Sequence, residues 1–288
     1  MISKRAPQWK RYWNLWRHVE SPGTYLRRKL GFGSKEPAQF VFKGGLKVRV
    51  PVPRLVEFKE IMMDDAYLRG FRPAALGQGQ GTQMAVIDVG ANLGFFSLYA
   101  KAMFPQCVVI GLEPLSGNFA FFRANLALNP QLGGSVAAVN AALASARGTL
   151  KLCSQRGGEF PTDATLWTQG VQGTLFEVPA LTLGDLLSEY RIARIALLKM
   201  DCEGAEFDIL YHAEPAVLER IDAIAMEVHQ GKGDRENIEG LGQFLCHRGF
   251  ACGLSSRGDF LWAARDPNWL VCQDLPIQSL NRNPAVCV

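Results

Sequence analysis

One stretch, Met84–Gly94, constrains the fold of this chain more than any other. Its first part, Met84–Val89, is an apolar run with β-branched side chains, which is typical of a strand buried in a parallel sheet. Gly90 and Gly94 interrupt the run, and Phe95–Phe104 then has the spacing of an amphipathic helix. A strand, a glycine turn and a helix in this order predict the first unit of a nucleotide-binding α/β domain, in which backbone amides approach a ligand.

The glycine spacing argues against a dinucleotide ligand. Counted from Gly90, the pattern G-x-G-x-x-G requires glycines where Asn92 and Phe95 stand, and no Gly-Lys-Ser/Thr of a P-loop follows. What remains is D-x-G-x-N-x-G, with Asp88 at the strand end. A carboxylate there repels the phosphates of an NAD-type cofactor, so an oxidoreductase is disfavoured. The pattern suits a ligand with an amine and no pyrophosphate, and S-adenosylmethionine is the obvious one.

A second apolar run, Val108–Pro114, ends in Glu113, which follows Gly94 by 19 residues. At about this distance the second strand of a nucleotide-binding unit presents a carboxylate to the hydroxyls of a ribose. The alternative role for Glu113 is to cap the helix expected from Leu115. Its combination with the glycine pattern favours the contact with ribose.

From Met84 onward strand and helix patterns alternate, which predicts a doubly wound α/β fold with a mostly parallel sheet. An antiparallel hairpin, formed by Phe250–Leu254 and Phe260–Ala264 around Arg257-Gly258, is expected to end it. The other expected strands are Val136–Leu143, Gly148–Cys153, Phe176–Leu181, Ile195–Asp201 and Ile221–His229.

Charged side chains end or follow several of these strands, at the carboxyl edge where such sheets bind ligands. A helix cap or an ion pair is the ordinary role of each one taken singly. Because burying so many charges without a function or a partner is costly, we expect a shared site. The residues at this edge are Asp88, Glu113, Asp201, Glu203, Glu227 and His229.

Taken together, these segments resemble the FkbM family of S-adenosylmethionine-dependent methyltransferases. The matching segments are VIDVGANLGFFSL, GLEP followed by Asn118, NAAL, VPALTLGDLL, LLKMDCEGAEFDIL and AMEVH, between about residues 84 and 229. The resemblance extends through the terminal hairpin to about residue 264. It implies the seven-stranded class I methyltransferase (Rossmann-like) sheet and methyl transfer to an oxygen, often a hydroxyl of a sugar, lipid or natural product.

The resemblance also implies roles for individual residues. The methionine-binding loop corresponds to Asp88, Gly90, Asn92 and Gly94, and the remaining cofactor contacts correspond to Glu113 at the ribose, to Asn118, and to Asn140 and Ala141 at the adenine. Asp201 and Glu203 match the family pattern K-x-D-x-E-G-x-E, beside the transferred methyl group. Cys202 stands where a small apolar residue is more usual, which we take as neutral.

The acceptor hydroxyl must lose its proton during methyl transfer, and His229 is the best candidate for the general base because imidazole titrates near neutral pH. A histidine that only closes its strand is the alternative. Asp201 or Glu203 is the second choice of base, which would require a raised pKa. No metal is expected, although Asp201, Glu227 and His229 form a ligand set that suits magnesium or manganese. A non-catalytic binding protein on the same fold remains the second hypothesis for function.

Basic charge is concentrated in residues 1–35. This segment contains nine lysines and arginines and one acidic residue, Glu20, although the net charge of the whole chain is only +4. A basic helix with an aromatic face suits an anionic membrane surface. It can also dock on the protein's own core or on a second subunit. Nucleic acid is disfavoured because the rest of the chain is acidic. The aromatic residues at helical spacing in this segment are Trp9, Tyr12, Trp13 and Trp16.

The expected division of the chain follows from these segments. We predict a basic aromatic arm over residues 1–35, an extension over 36–81, the methyltransferase domain over 82–265 and a surface tail over 266–288. The extension is expected to hold a hairpin around Gly44-Gly45, a helix over Leu55–Arg69 and the linker Pro73–Gly81. Within the domain, Ser154–Gly173 is too long for a simple connection and is expected to act as a lid or binding loop.

Composition bounds the remaining possibilities. No run of eighteen apolar residues predicts a membrane-spanning helix, and no signal sequence is recognisable. The seven cysteines show no C-x-x-C spacing, so we expect reduced thiols, with neither a disulfide framework nor a zinc site. A cytoplasmic protein is therefore expected, with peripheral membrane contact through its arm as an option. The expected partner is a small-molecule, sugar or lipid acceptor.

Overall fold

A computed structural model describes residues 8–32, 36–72, 84–155, 157–166, 171–255 and 258–271. Two helices, a hairpin and a third helix come first in the chain. These elements are α1 (Gln8–His18), α2 (Pro22–Lys29), β1 (Ala38–Val41), β2 (Lys47–Val50) and α3 (Leu55–Met62). The predicted linker Pro73–Gly81 lies outside the described residues, as do Arg257 of the terminal turn and most of the predicted tail.

Strands and helices then alternate along the chain, as the sequence predicts. The elements are β3 (Met84–Val89), α4 (Phe95–Met103), β4 (Val108–Leu112), α5 (Ser116–Ala127), β5 (Val136–Val139), β6 (Ala142–Leu143), β7 (Gly148–Ser154), β8 (Thr165–Leu166), β9 (Thr174–Leu181), α6 (Leu183–Glu189), β10 (Arg194–Met200), α7 (Glu206–Tyr211), α8 (Pro215–Leu218), β11 (Ala223–Glu227), α9 (Ile238–His247), β12 (Ala251–Leu254) and β13 (Phe260–Ala264).

The main sheet has seven strands in the order β12-β13-β11-β10-β3-β4-β5. The five strands from β11 to β5 are parallel, whereas β13 runs antiparallel to β11 and pairs with β12 as a hairpin. The predicted doubly wound sheet with an antiparallel terminal hairpin is therefore confirmed. Strand β3 is central, so the crevice at the carboxyl ends of the strands opens beside the loop that follows it.

A second sheet of four strands, in the order β6-β9-β7-β8, stands apart from the first. The prediction of a single strand over Val136–Leu143, continued by Gly148–Cys153, was wrong in this respect. The chain leaves the main sheet at Asn140, whose Nδ2 donates hydrogen bonds to the carbonyls of Glu113 (2.9 Å) and Pro114 (3.0 Å). This contact with the end of β4 turns the chain, so β6 pairs with β9 instead.

Helix α3 is shorter than predicted. The apolar pattern that suggested a helix over Leu55–Arg69 continues beyond the point at which the helix ends. The helix ends at Met62, and Asp65 lies in the left-handed region with φ 51°. The following residues Tyr67 and Leu68 are buried without being helical. Burial therefore continues while the helical backbone does not.

Two apolar clusters cover the two faces of the main sheet, and alternate residues of β3 contribute to each. Val86 belongs to one cluster and Ile87 to the other. The first cluster also contains Leu15, Phe40 and Phe58, so the N-terminal elements pack against the same face of the sheet as α4. The predicted division into four segments stays a prediction.

One helix start and the cysteines complete the description of the fold. Thr182 is the N-cap of α6, where its hydroxyl accepts from the Asp185 amide and the Asp185 carboxylate binds the Thr182 amide in return. The five cysteines within the described residues are free thiols. Among the described residues, no helix combines the length and the apolar character needed to cross a membrane.

Candidate active site

The glycine loop after β3 is held by close packing of its backbone. Gly90 and Gly94 have φ values of 73° and 83°, in the left-handed region that favours glycine. A Cβ on Gly90 would lie 1.9 Å from the carbonyl oxygen of Asp201, and one on Gly94 would lie 2.0 Å from the Phe122 ring. Gly94 thus lets α4 begin against α5, and Gly90 brings the loop against the end of β10.

Asp88 is fully buried beneath this loop and contacts other protein side chains. The Lys199 Nζ lies 2.8 Å from its Oδ1, and the Ser97 hydroxyl donates to its Oδ2 at 2.7 Å. Lys199 also donates to the carbonyl of Gly90 at 2.9 Å. Burial lowers the pKa of Lys199, but the charges of Asp88 and Asp201 outweigh it and the net shift is upward, so Lys199 stays protonated. The contacts of Asp88 therefore position the loop through Lys199.

Glu113 makes the contact at the start of α5 that the sequence offered as its alternative role, while the contact with ribose stays a prediction. Its Oε1 accepts from the Leu115 amide at 2.9 Å, as a cap, and its Oε2 accepts from the Asn92 amide at 2.9 Å. The same side chain lines a cavity. Burial raises the pKa of Glu113 to about 7, against the lowering effect of these hydrogen bonds. Oε1 also accepts from Asn118 Nδ2 at 3.5 Å, so Oε2 is the oxygen that keeps a second lone pair for a donor in the cavity.

Asn92 and Asn118 line the same cavity and carry unused acceptors. Asn118 Nδ2 donates to the carbonyl of Pro161 at 2.9 Å, while its Oδ1 is buried and lacks a hydrogen-bond partner among the described residues. The Oδ1 of Asn92 is also buried and lacks a hydrogen-bond partner among the described residues. Ala141 lines the cavity, whereas Asn140 binds the carbonyls at the end of β4 and does not. Buried acceptors without a partner favour a ligand that brings hydrogen-bond donors.

The cavity, of about 270 Å³, lies between the carboxyl edge of the main sheet and the second sheet. The predicted lid segment Ser154–Gly173 supplies part of its wall through Pro161, Thr162, Ala164 and Leu166. Trp167 of that segment lies outside the described residues. A neighbouring cavity of about 350 Å³ is lined by residues of α3 and α4 and by Tyr67. The two cavities share Glu57, Gly90, Asn92, Asp201 and Glu227.

Asp201, Glu203 and His229 meet at the end of the cavity away from Glu113. One ligand atom from each side chain lies within 4.8 Å of the others. His229 Nε2 is 3.6 Å from Glu203 Oε2, and its Nδ1 donates to Oε1 of the buried Glu206 at 3.0 Å. Asp201 accepts a hydrogen bond from the Tyr67 hydroxyl at 2.7 Å. The ends of β10 and β11, the start of α7 and the segment after α3 thus converge on one group of side chains.

Surplus negative charge decides the protonation of this group. Burial lowers the pKa of His229, but the hydrogen bond to Glu206 and the charges of Glu206, Glu203 and Asp201 raise it to about 9. The imidazole therefore carries a proton at neutral pH. Burial raises the pKa of Glu203, although the charge of His229 lowers it. Burial and the charge of Asp201 raise the pKa of the Tyr67 phenol, so it donates to Asp201 as a neutral group.

The structure thus brings eight of the eleven predicted site residues to one cavity and sets three behind it. Asp88, Gly94 and Asn140 act through the packing described above. The three side chains close enough to bind one metal ion are those of Asp201, Glu203 and His229, whereas the sequence suggested Glu227 in place of Glu203. Sequence reasoning missed Tyr67 and gave Glu206 no role. Glu206 is the last residue of K-x-D-x-E-G-x-E and could have been noticed, whereas nothing local marks Tyr67.

Comparison with known proteins identifies the family of this chain. Residues 88–252, more than half of the chain, match the sequence model of the methyltransferase FkbM domain. The chain is 30% identical to methyltransferase sdnD of Sordaria araneosa over 213 residues, covering 64% of this chain and 78% of that protein. It is 29% identical to 31-O-demethyl-FK506 methyltransferase FkbM of Streptomyces tacrolimicus over 201 residues, covering 61% and 75%.

Among solved structures, a methyltransferase FkbM from Methylobacillus flagellatus KT is similar at 16% identity and a TM-score of 0.44, over 74% of this chain and 54% of that one. Similarity at that level carries no information about substrate or mechanism. The match to the family over more than half of the chain is the decisive finding. This protein is a methyltransferase of the FkbM family.

Proposed function

We propose that the protein transfers the methyl group of S-adenosylmethionine to a hydroxyl oxygen of a sugar, lipid or natural-product acceptor. The observation that carries the proposal is the group formed by His229, Glu206, Glu203 and Asp201 at one end of the cavity. A histidine backed by a buried carboxylate is suited to remove a proton from a hydroxyl. The relative from Streptomyces tacrolimicus supports an oxygen acceptor, since its name specifies a 31-O-demethyl compound.

The residues at the opposite end fit the cofactor. Glu113 and the unused amide oxygens of Asn92 and Asn118 offer acceptors to the hydroxyls and amines of S-adenosylmethionine. The carboxylates of Asp201 and Glu227, which line the junction of the two cavities, favour its sulfonium charge. When bound, the cofactor supplies an electrophilic methyl group. Relatives that are methyltransferases favour neither an oxidoreductase nor a non-catalytic protein.

His229 is the proposed base, and Glu206 is the residue that orients it. Because Nδ1 donates to Glu206, Nε2 is the nitrogen left to face the cavity, where it receives the proton of the acceptor hydroxyl. The imidazole must first lose the proton that it holds at neutral pH. Asp201 is the weaker candidate, since the Tyr67 hydroxyl already donates to it. Glu203 remains the second choice.

Calorimetric titration with S-adenosylmethionine and with S-adenosylhomocysteine tests the cofactor. We expect binding of both, because the acceptors of the cavity match groups that the two share. Absence of binding to either, in a protein that melts cooperatively, would contradict the proposal.

The acceptor requires a separate experiment. Incubation with methyl-labelled cofactor and fractionated cell extracts, followed by mass spectrometry of the labelled product, identifies the methylated atom. An O-methyl product is expected. A product methylated only at nitrogen, sulfur or carbon would leave the cofactor assignment intact and overturn the oxygen acceptor.

A further inference from the structure

The outward surface of α1 and α2 has no role in the site described above, yet it carries an unusual set of side chains. Eleven large hydrophobic residues are exposed in the part of the chain that the structure describes, and seven of them lie between residues 9 and 32. They are Trp9, Tyr12, Trp13, Trp16, Leu26, Leu30 and Phe32. We call this set, together with the exposed basic residues Lys10, Arg17, Arg27, Lys29 and Lys43, the aromatic-basic face.

The orientation of α1 is fixed by its opposite side. Leu15 is only 1% exposed and belongs to the core, and Asn14 Nδ2 donates to the carbonyl of Met63 at 3.1 Å. Arg11 Nε lies 2.5 Å from Asp64 Oδ1. The helix is therefore docked through one side, and its tryptophans point away from the core that the described residues form. This excludes the option that the aromatic stripe packs into that core.

The exposure of the indoles is large for side chains of this size. Trp9 is 72% exposed, and Trp13 and Trp16 are each 54% exposed with their ring centroids 5.2 Å apart. Single exposed hydrophobic residues are ordinary, but a cluster of this extent marks a surface that is covered by something else. The remaining question is what covers it.

Positive charge is interleaved with the aromatic rings. Lys43 Nζ lies 4.2 Å from the centroid of the Trp16 ring, and Lys29 Nζ donates to the Tyr12 hydroxyl at 3.2 Å. The contact between Lys29 and Tyr12 joins α2 to α1, so the two helices form one continuous surface. Glu20 is the single acidic residue of the sequence between residues 8 and 32.

We propose that the aromatic-basic face docks the protein on the surface of an anionic lipid bilayer. Tryptophan and tyrosine favour the level of the lipid headgroups, leucine and phenylalanine enter the acyl boundary, and lysine and arginine attract anionic lipids. A second copy of the chain fits less well, because a two-fold contact would oppose one positive surface to another. Nucleic acid would use the charges but leave Leu26, Leu30 and Phe32 exposed to water.

Co-sedimentation of the 288-residue protein with vesicles tests the proposal. One vesicle population contains phosphatidylcholine alone and the other contains phosphatidylcholine with phosphatidylglycerol. We expect binding to the anionic vesicles that weakens as salt is added. Equal binding to both populations, or binding to neither, would overturn the proposal. Sedimentation velocity and titration with a single-stranded oligonucleotide then show whether a second copy or a nucleic acid takes the surface instead.

Two sets of substitutions separate the apolar and electrostatic contributions. Trp9→Ser, Trp13→Ser and Trp16→Ser together should lower partition into anionic vesicles at least about tenfold. Lys10→Gln, Arg17→Gln and Arg27→Gln together should lower it about 100-fold at low salt. Leu175→Ser, at an exposed hydrophobic residue outside the face, is the matched control. If both sets of variants fold and bind vesicles like the wild type, the proposal is wrong.

Discussion

The two ends of the main cavity balance charge in opposite ways. At the glycine-loop end, each carboxylate is matched by protein donors: Asp88 by Lys199 and Ser97, and Glu113 by the amides of Asn92 and Leu115. At the other end, which we call the acid end, Asp201, Glu203 and Glu206 surround one histidine and raise its pKa to about 9.

The difference indicates how the work is divided. An end whose carboxylates are already matched by protein donors is rigid before any ligand arrives, so its residues should control stability and cofactor affinity. An end with surplus negative charge attracts a cation and already holds a proton on His229, so its residues should control the rate. Substitutions at each end test this division.

The largest effect is expected at the acid end. His229→Gln should lower the turnover number by about 10²–10⁴-fold, because the general base is lost, and leave the affinity for S-adenosylmethionine unchanged. Steady-state kinetics and calorimetry measure the two quantities. His212→Gln, at an exposed histidine, is the control and should change neither. Equal losses of rate and affinity in the His229 variant would remove His229 as the base.

Lys199→Met tests the glycine-loop end. The substitution leaves Asp88 buried without its cation, which should lower the free energy of unfolding by about 3–5 kcal/mol. Urea denaturation measures the loss, and adding Asp88→Asn should recover part of it. The control is Arg147→Met, which removes an exposed ion pair with Asp185 and should have no measurable effect. A Lys199 variant as stable as the wild type would show that the pair does not support the loop.

Glu113→Gln should act on affinity and not on the rate. Loss of a charged acceptor should weaken cofactor binding about 10- to 100-fold at pH 8, without changing the turnover number at saturation. Because the pKa of Glu113 is about 7, binding to the wild type should also strengthen as pH rises through that value. Calorimetry across pH measures both effects, with Glu177→Gln as the exposed control. An unchanged affinity would place the ribose elsewhere.

The smallest effect is the pH dependence of stability from His229. Its pKa is raised from 6.5 to about 9 on folding, so its stabilisation is present below pH 6.5 and is lost as pH rises through 9. The expected loss is on the order of 2 kcal/mol relative to His229→Gln, by urea denaturation at pH 6 and pH 10. Over the same range kcat/KM should rise if His229 is the base. A profile that is already flat at neutral pH would favour Glu203.

Local patterns predicted the elements well where one face or both faces of a strand are apolar. The run Met84–Val89 is a strand with those boundaries because both of its faces are buried. The same patterns failed where the chain turns although burial continues, as at Asn140, which hydrogen-bonds to the end of β4, and at Asp65, which has a positive φ. Neither feature changes the hydrophobic periodicity, so neither can be detected from it.

The site shows the same limit at longer range. The motifs supplied Asp201, Glu203 and Glu113, but the partners that set their chemistry come from distant segments. Tyr67 reaches Asp201 across 134 positions of sequence. Lys199 stands opposite Asp88 only because β10 and β3 pair in that register. The sequence pattern identifies the carboxylates, but it does not reveal the strand register that places a lysine beside one of them.

The contact between Gly90 and Asp201 has a consequence for how such an enzyme can diversify. Since no side chain fits between the loop and the end of β10, Gly90 cannot be replaced unless the end of β10 moves. Variation in substrate preference must then arise elsewhere on the wall, where Leu150, Leu152 and Ala164 contribute ordinary apolar side chains from the second sheet and its loop. A library restricted to those positions samples new acceptors while it keeps the inherited chemistry.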